Sequence, residues 1–178
     1  MLRLATLDDV PELHALIELS VRVLQAGDYS LEQIDGALGT VLGLDQQLIR
    51  DGTYFVTEGA GHISGCGGWS KRRTLFGSDH VAGKNDALLD PATEAAKVRA
   101  FFIHPDYARQ GLGTQILAAC EQAAAEAGFL NLELGATLTG ERLFQRHGFT
   151  PIRRLEIPLK NGLTLPVTHM EKRILSPE

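Results

Sequence analysis

Residues 100–114, AFFIHPDYARQGLGT, constrain the fold more than any other stretch. Phe101, Phe102 and Ile103 suit a buried strand. His104-Pro105-Asp106 ends it, because proline has no N–H to donate and restricts the residue before it. Gly111 and Gly113 then let the backbone approach a ligand with no Cβ in the way. The first amides of a helix have no intrahelical acceptor, and the helix dipole adds positive potential there. The stretch therefore reads as strand, turn and a helix start suited to an anion such as phosphate.

A Gly-x-Gly turn alone also fits a plain connection or a nucleotide-binding motif. A dinucleotide fingerprint needs a third glycine three positions on, where this chain has Ile116. A phosphate-binding P-loop is most nearly approached at Gly83-Lys84, but Ser78 takes the first glycine position and Asn85 the Ser/Thr position. Neither motif is met.

The rest of the chain supplies strands and helices around this stretch. Leu2–Ala5 reads as a first strand. Thr6 or Asp9, the latter with Glu12 three residues on, caps a helix whose apolar positions are Val10, Leu13, Ile17, Val21 and Leu24. Ser30 caps a second helix. Thr53–Glu58 and His62–Ser70 read as a hairpin, with Gly65, Gly67 and Gly68 marking a bulge or a close approach. Residues 71–96 form an irregular loop in which Lys71-Arg72-Arg73 reads as a solvated run or, alternatively, as a contact for cofactor phosphates or an acidic acceptor. Lys97–Ile103 is the fourth strand. Leu112, Ile116, Leu117, Cys120, Ala124 and Ala127 share one face of the helix that follows. A fifth strand at Leu130–Leu134, a short helix at 139–146 and strands at 149–157 and 163–174 complete the chain. Pro158 and Pro166 place the last two strands toward a sheet edge.

The order of strand, His104-Pro105, ARQGLG turn, long helix, short strand and the segment LFQRHGF (143–149) resembles the GCN5-related N-acetyltransferase (GNAT) superfamily. The resemblance implies an α/β acyl-CoA N-acyltransferase fold. Its central sheet would be mixed, mostly antiparallel, of six to seven strands flanked by about four helices, in one domain over residues 1–178. It implies acetyl-CoA as co-substrate. The pyrophosphate would be held along Ala108, Arg109, Gln110, Gly111, Leu112, Gly113 and Thr114, an amide of Phe102 or Ile103 would meet the acetyl carbonyl, and Phe144 would close the cofactor side. Ala108 stands where the family's turn carries Gln or Arg, which leaves backbone amides to bind, with Arg109 as substitute. The acceptor side would be bordered by Tyr29 and Glu32, by Trp69, and by the 71–96 loop; Tyr29 reads equally as a half-buried packing residue and Trp69 as a cover for the core edge.

Two further departures concern proton transfer. Many relatives carry a proton-donating Tyr where this chain has Phe144, and some a basic Glu near Lys97. The candidates left to take the amine proton are Glu32, Asp79, His80 and Glu133. The expected activity is transfer of an acetyl group to a primary amine of a small molecule or protein by direct attack. A non-catalytic acyl-CoA sensor is the alternative, favoured by Phe144 and Lys97.

Composition narrows the partners. A net charge of -5 argues against general nucleic-acid binding. The two cysteines, Cys66 and Cys120, have no metal-type spacing and read as reduced residues of a cytoplasmic protein, so no metal is expected. No apolar run is long enough for a membrane span, and the first residues lead straight into polar ones, unlike a signal peptide. The late edge strands offer a face for a homodimer.

Overall fold

The computed structural model describes residues 1–174. Seven strands, β1 (Leu2–Leu4), β2 (Tyr54–Gly59), β3 (His62–Ser70), β4 (Ala96–Ile103), β5 (Asn131–Thr137), β6 (Thr150–Pro158) and β7 (Thr164–Arg173), form one sheet in the order β1-β2-β3-β4-β5-β7-β6. Every neighbouring pair is antiparallel except β4–β5, which is parallel. Five helices accompany the sheet: α1 (Val10–Leu24), α2 (Leu31–Ala37), α3 (Gln46–Arg50), α4 (Leu112–Glu126) and α5 (Glu141–Arg146). The expected mixed, mostly antiparallel α/β sheet is present.

Two apolar cores lie on the sheet's opposite faces. One gathers Leu13, Leu16, Ile17 and Val21 of α1 with Ile34, Tyr54 and Val56. The other gathers Ile116, Leu117, Cys120 and Ala124 of α4 with Leu132, Leu134, Phe144 and Phe149. Helical spacing of apolar residues thus put each helix face where burial rewards it.

Local chemistry explains most boundaries. Ser30 caps α2 as expected, its Oγ accepting from the Gln33 amide at 3.1 Å while Gln33 Oε1 accepts from the Ser30 amide at 2.9 Å. At α1 the box joins Thr6 to Asp9 across a 3₁₀ turn, the Thr6 amide donating to Asp9 Oδ2 at 2.7 Å. The expected partner Glu12 instead accepts from the Ile63 amide at 2.6 Å, tying α1 to β3. The short helix α3 was not foreseen, although Asp45 caps it by accepting from the Gln47 amide. Strand β5 runs on to Thr137 because its pairing with β7 continues through Gly135 and Ala136. Of the last two strands β6 alone is at an edge; β7 lies between it and β5. Pro166 is tolerated in β7 because it lies just beyond the segment paired with β5 and has β6 alone as neighbour.

Candidate functional site

The centre of the molecule is a parting of two strands. β4 and β5 pair only at Ala96↔Leu132 and Lys97↔Glu133, and then separate. The cause lies in β4. Gly68 faces Arg99 and Cys66 faces Phe102, so Gly67 faces both Ala100 and Phe101, the arrangement of a β-bulge. Ala100 takes φ +56°, in the left-handed region. A Cβ on Gly67 would lie 2.7 Å from the Phe101 ring, which is why this position needs glycine. The bulge is anchored from behind: the fully buried Tyr54 donates its hydroxyl to the Ala100 carbonyl at 2.7 Å.

A cleft of about 590 Å³ runs through the parting. At the α4 mouth it is lined by Ala108, Arg109, Gly111, Leu112, Gly113 and Thr114, and across from them by Arg142, Leu143 and Arg146 of α5. Gly111 caps α4 at φ +85°. The first intrahelical bond there runs from the Gln115 amide to the Gly111 carbonyl at 3.0 Å, so the amides before Gln115 have no acceptor on the helix. Arg109, Arg142 and Arg146 surround them and make no salt bridge among the described residues. Despite the chain's net negative charge, this mouth is locally cationic and rich in donors.

Along the cleft wall the His104 amide donates to the Ser64 carbonyl at 2.9 Å, toward β3. Consecutive strand amides point to opposite edges, so the Ile103 amide faces the side that β5 has left. Phe144 is buried on the same wall, its ring edge-on to Phe101 at 5.7 Å and to Phe149 at 5.6 Å. The far mouth opens on the α1 side, between Ser20, Leu24 and Gln25, the 41–43 turn, and Leu75, Phe76 and Gly77.

The residues singled out from sequence divide sharply. Phe102, Ile103, Ala108, Arg109, Gly111, Leu112, Gly113, Thr114 and Phe144 all line the cleft; Gln110 does not, and its side chain turns back toward the Asp106 carbonyl. Neither expected acceptor residue lines it. Tyr29 is buried as a tie, donating to the Pro166 carbonyl at 2.6 Å and accepting from the Leu138 amide at 2.9 Å. Trp69 packs edge-on to Phe129 in the α4-side core. The four candidates for the amine proton also lie elsewhere. Glu133 is ion-paired to Lys97 at 2.7 Å. Asp79 and His80 line a separate hollow against α1 and α2, where Asp79 accepts from the Gln46 amide. Glu32 is exposed on α2. Among the described residues no Asp, Glu or His lines the cleft. The basic run is ion-paired at the surface: Arg72, partly buried, forks onto Asp51 at 2.7 and 2.9 Å, and the exposed Arg73 pairs with Glu94.

Sequence reasoning missed Arg142 and Arg146, whose i, i+4 spacing on a short helix was the available signal. It also missed Gln25 and Arg99. Arg99 is almost wholly buried; burial works to lower its pKa, and Asp45 at 3.1 Å works to hold its charge.

Comparison with known proteins agrees with this geometry. Residues 50–151, more than half of the chain, match the family model described as "Acetyltransferase (GNAT) domain". No curated protein sequence matches the chain. Among solved structures, a GCN5-related N-acetyltransferase from Rhodopseudomonas palustris is 21% identical with a TM-score of 0.72, covering 98% of this chain and 95% of that one. The PaiA N-acetyltransferase of Thermoplasma acidophilum, in complex with coenzyme A, is 13% identical with a TM-score of 0.64, covering 98% of both chains. The yncA protein of Salmonella typhimurium, with its cofactor acetyl-CoA, is 18% identical with a TM-score of 0.63, covering 100% of this chain and 97% of that one.

Proposed function

Because the chain belongs to the GNAT acetyltransferase family, we propose that it moves an acetyl group from acetyl-CoA to a primary amine by direct attack in a ternary complex. One observation carries the reading: unpaired amides at the start of α4 open onto a cleft that passes between two parted strands. Such amides, with the dipole behind them, hold a diphosphate, and Arg109, Arg142 and Arg146 add charge where the coenzyme carries its phosphates. The coenzyme-bound structures of the Thermoplasma and Salmonella proteins support the choice of ligand.

The chemistry follows from the walls. The acetyl group would reach the parting from the α4 mouth and the amine from the α1 mouth. Attack forms the C–N bond and a tetrahedral oxyanion, for which the Ile103 amide is a placed donor; loss of one such donor typically costs about 3 kcal/mol. The C–S bond then breaks and the thiolate leaves, stable enough near neutral pH to need no side-chain acid. The amine proton passes to water, since the cleft offers no carboxylate or imidazole. This assigns the protein's contribution to alignment and to backbone electrostatics rather than to a general base.

Calorimetry with acetyl-CoA, followed by thiol release across a panel of amines, tests the proposal. Saturable binding with amine-dependent thiol release is expected. No binding at millimolar concentration would overturn it. The same lack of an acid–base side chain, with Phe144 packed between two rings, favours a second reading as an acyl-CoA sensor; binding without release on a broad panel would establish that one.

A further inference from the structure

The three arginines of the α4 mouth are not placed alike. Arg109 lies on the loop that leads into α4, at φ +62°. Arg142 and Arg146 lie across the mouth on α5, spaced i, i+4 on one face, with Cβ atoms about 6 Å apart. Their helix is fixed against the first turn of α4. A Cβ on Gly113 would come within 2.9 Å of Leu143 Cδ2, and Thr114 Oγ1 lies 3.0 Å from His147 Nε2. The α5 pair therefore stands beside the unpaired amides, on the opposite wall.

The fold does not use this charge. Both side chains are exposed. The one carboxylate on α5, Glu141, is taken by Arg154 at 3.2 Å and by the Thr168 hydroxyl. Among the described residues no Asp or Glu lines the cleft to neutralise the pair. Like charges at i, i+4 weaken a helix, so the pair burdens α5 unless an anion joins it.

The coenzyme carries two kinds of phosphate. Its diphosphate suits a row of helix amides. Its ribose also bears a 3′-phosphomonoester, which near neutral pH has a charge of about −1.5 to −2 and three terminal oxygens. A guanidinium presents a planar fork of N–H donors that matches two such oxygens, and two forks on one helix face suit one phosphate held between them. We infer that Arg142 and Arg146 together seat the 3′-phosphate, so that the protein selects a 3′-phosphorylated donor over the same molecule without that group, while Arg109 and the α4 amides hold the diphosphate. Donor selection then lies on α5 and not in the glycine turn. The inference rests on the proposed use of acetyl-CoA.

Coenzyme A and 3′-dephospho-coenzyme A differ only in this group, and calorimetric titration of each into the full chain gives the test. The wild type should bind coenzyme A more tightly by about tenfold or more, as forked, charge-assisted hydrogen bonds imply. Arg142→Gln combined with Arg146→Gln should bring the two affinities together. Arg109→Gln should weaken both nucleotides by a similar factor and keep their ratio. Either single α5 substitution should lower the ratio part of the way, and the wild-type comparison needs no variant at all. Equal binding of the two nucleotides by the wild type overturns the inference. A double variant that keeps the wild-type ratio also overturns it, since the monoester is then held elsewhere. So does one that loses both nucleotides by the same factor, since α5 then holds the diphosphate. Each of these results leaves acetyl transfer standing as long as acetyl-CoA binds. Failure of acetyl-CoA to bind overturns the acetyl-transfer reading and this one with it.

Discussion

Gly111 and Gly113 sit two residues apart and do different work. Gly111 adopts φ +85° with open space where a Cβ would be. Gly111→Ala therefore meets no clash but bears the left-handed penalty of about 1–2 kcal/mol, and thermal unfolding should shift down accordingly. Gly113 lies inside the first turn of α4, where a Cβ would come within 2.9 Å of Leu143 Cδ2, the movable tip of a side chain. Gly113→Ala should keep stability, since alanine is about 1 kcal/mol the better helix former, and should lose coenzyme affinity by about tenfold (~1.4 kcal/mol) as methyl and displaced Leu143 narrow the mouth. Calorimetric melting beside coenzyme titration separates the two; a Gly113→Ala protein that binds as wild type would remove Gly113 from the anion site. The cysteines make a second case at this scale. Burial pushes the Cys66 thiol up to about 12 and moves Cys120 the same way. Both should stay unlabelled by a thiol reagent in the native protein near pH 8, close to the free thiol's pKa of about 8.5, and both should react once denatured. Rapid labelling of either in the native state would contradict the burial argument.

At the scale of elements, the β4 bulge decides whether there is a cleft at all. Tyr54→Phe leaves the Ala100 carbonyl without its donor, a loss of about 1–3 kcal/mol, and should lower coenzyme affinity with stability, because the parting of β4 from β5 depends on the tethered peptide. Ala100→Gly works the other way. It relieves the left-handed strain at φ +56°, offset by glycine's extra unfolded-state entropy of about 0.5–1 kcal/mol, so stability should hold or rise slightly. Marked destabilisation by Ala100→Gly would mean that the bulge is held by packing of the methyl group instead. The sequence showed this region well because its determinants are local: a proline ends the strand, glycines open the helix, and three close-set glycines in β3 announce a bulge. The same locality made the Ser30 box readable. It failed where partners are distant. Arg99 is set by Thr74, Gly77 and Asp45, from 22 to 54 residues away along the chain. Glu133 looked free until β4 brought Lys97 against it. Tyr29 could be read as a pocket or a packing residue, because the bonds that decide it, to Pro166 and Leu138, lie more than a hundred residues downstream.

Over the whole molecule, charge is committed in a way that pH exposes. Arg3 holds the Asp9 carboxyl below its ordinary value, and Arg72 does the same for Asp51. For Asp45 burial pushes upward, but hydrogen bonding from Lys84 and the charge of Arg99 win and the net shift is downward. A carboxylate lowered on folding stabilises the native state above its unfolded pKa of about 3.9, and that stability drains as pH falls through the folded value. Acid unfolding should therefore begin below about pH 5. Asp45→Asn should be less stable at neutral pH by about 3–5 kcal/mol, since it leaves Arg99 buried without its counter-charge, and should show a shallower acid limb. The alkaline side has its own source. Burial raises Tyr29 to about 12 from an ordinary 10.0, and raises Tyr54 in the same direction. The unfolded chain gives up these protons first, so stability is full below pH 10 and is lost between 10 and 12; for Tyr29 alone this amounts to about 3 kcal/mol at about 1.36 kcal/mol per unit. Tyr29→Phe strands the Leu138 amide and the Pro166 carbonyl, so it should start less stable at neutral pH and then fall less steeply above pH 10. Denaturant midpoints measured across this range, with phenolate absorbance followed in parallel, decide the matter: an alkaline limb as steep in Tyr29→Phe as in the wild type would show that the buried tie between the α1–α2 junction and β7 is not what the rising pH breaks.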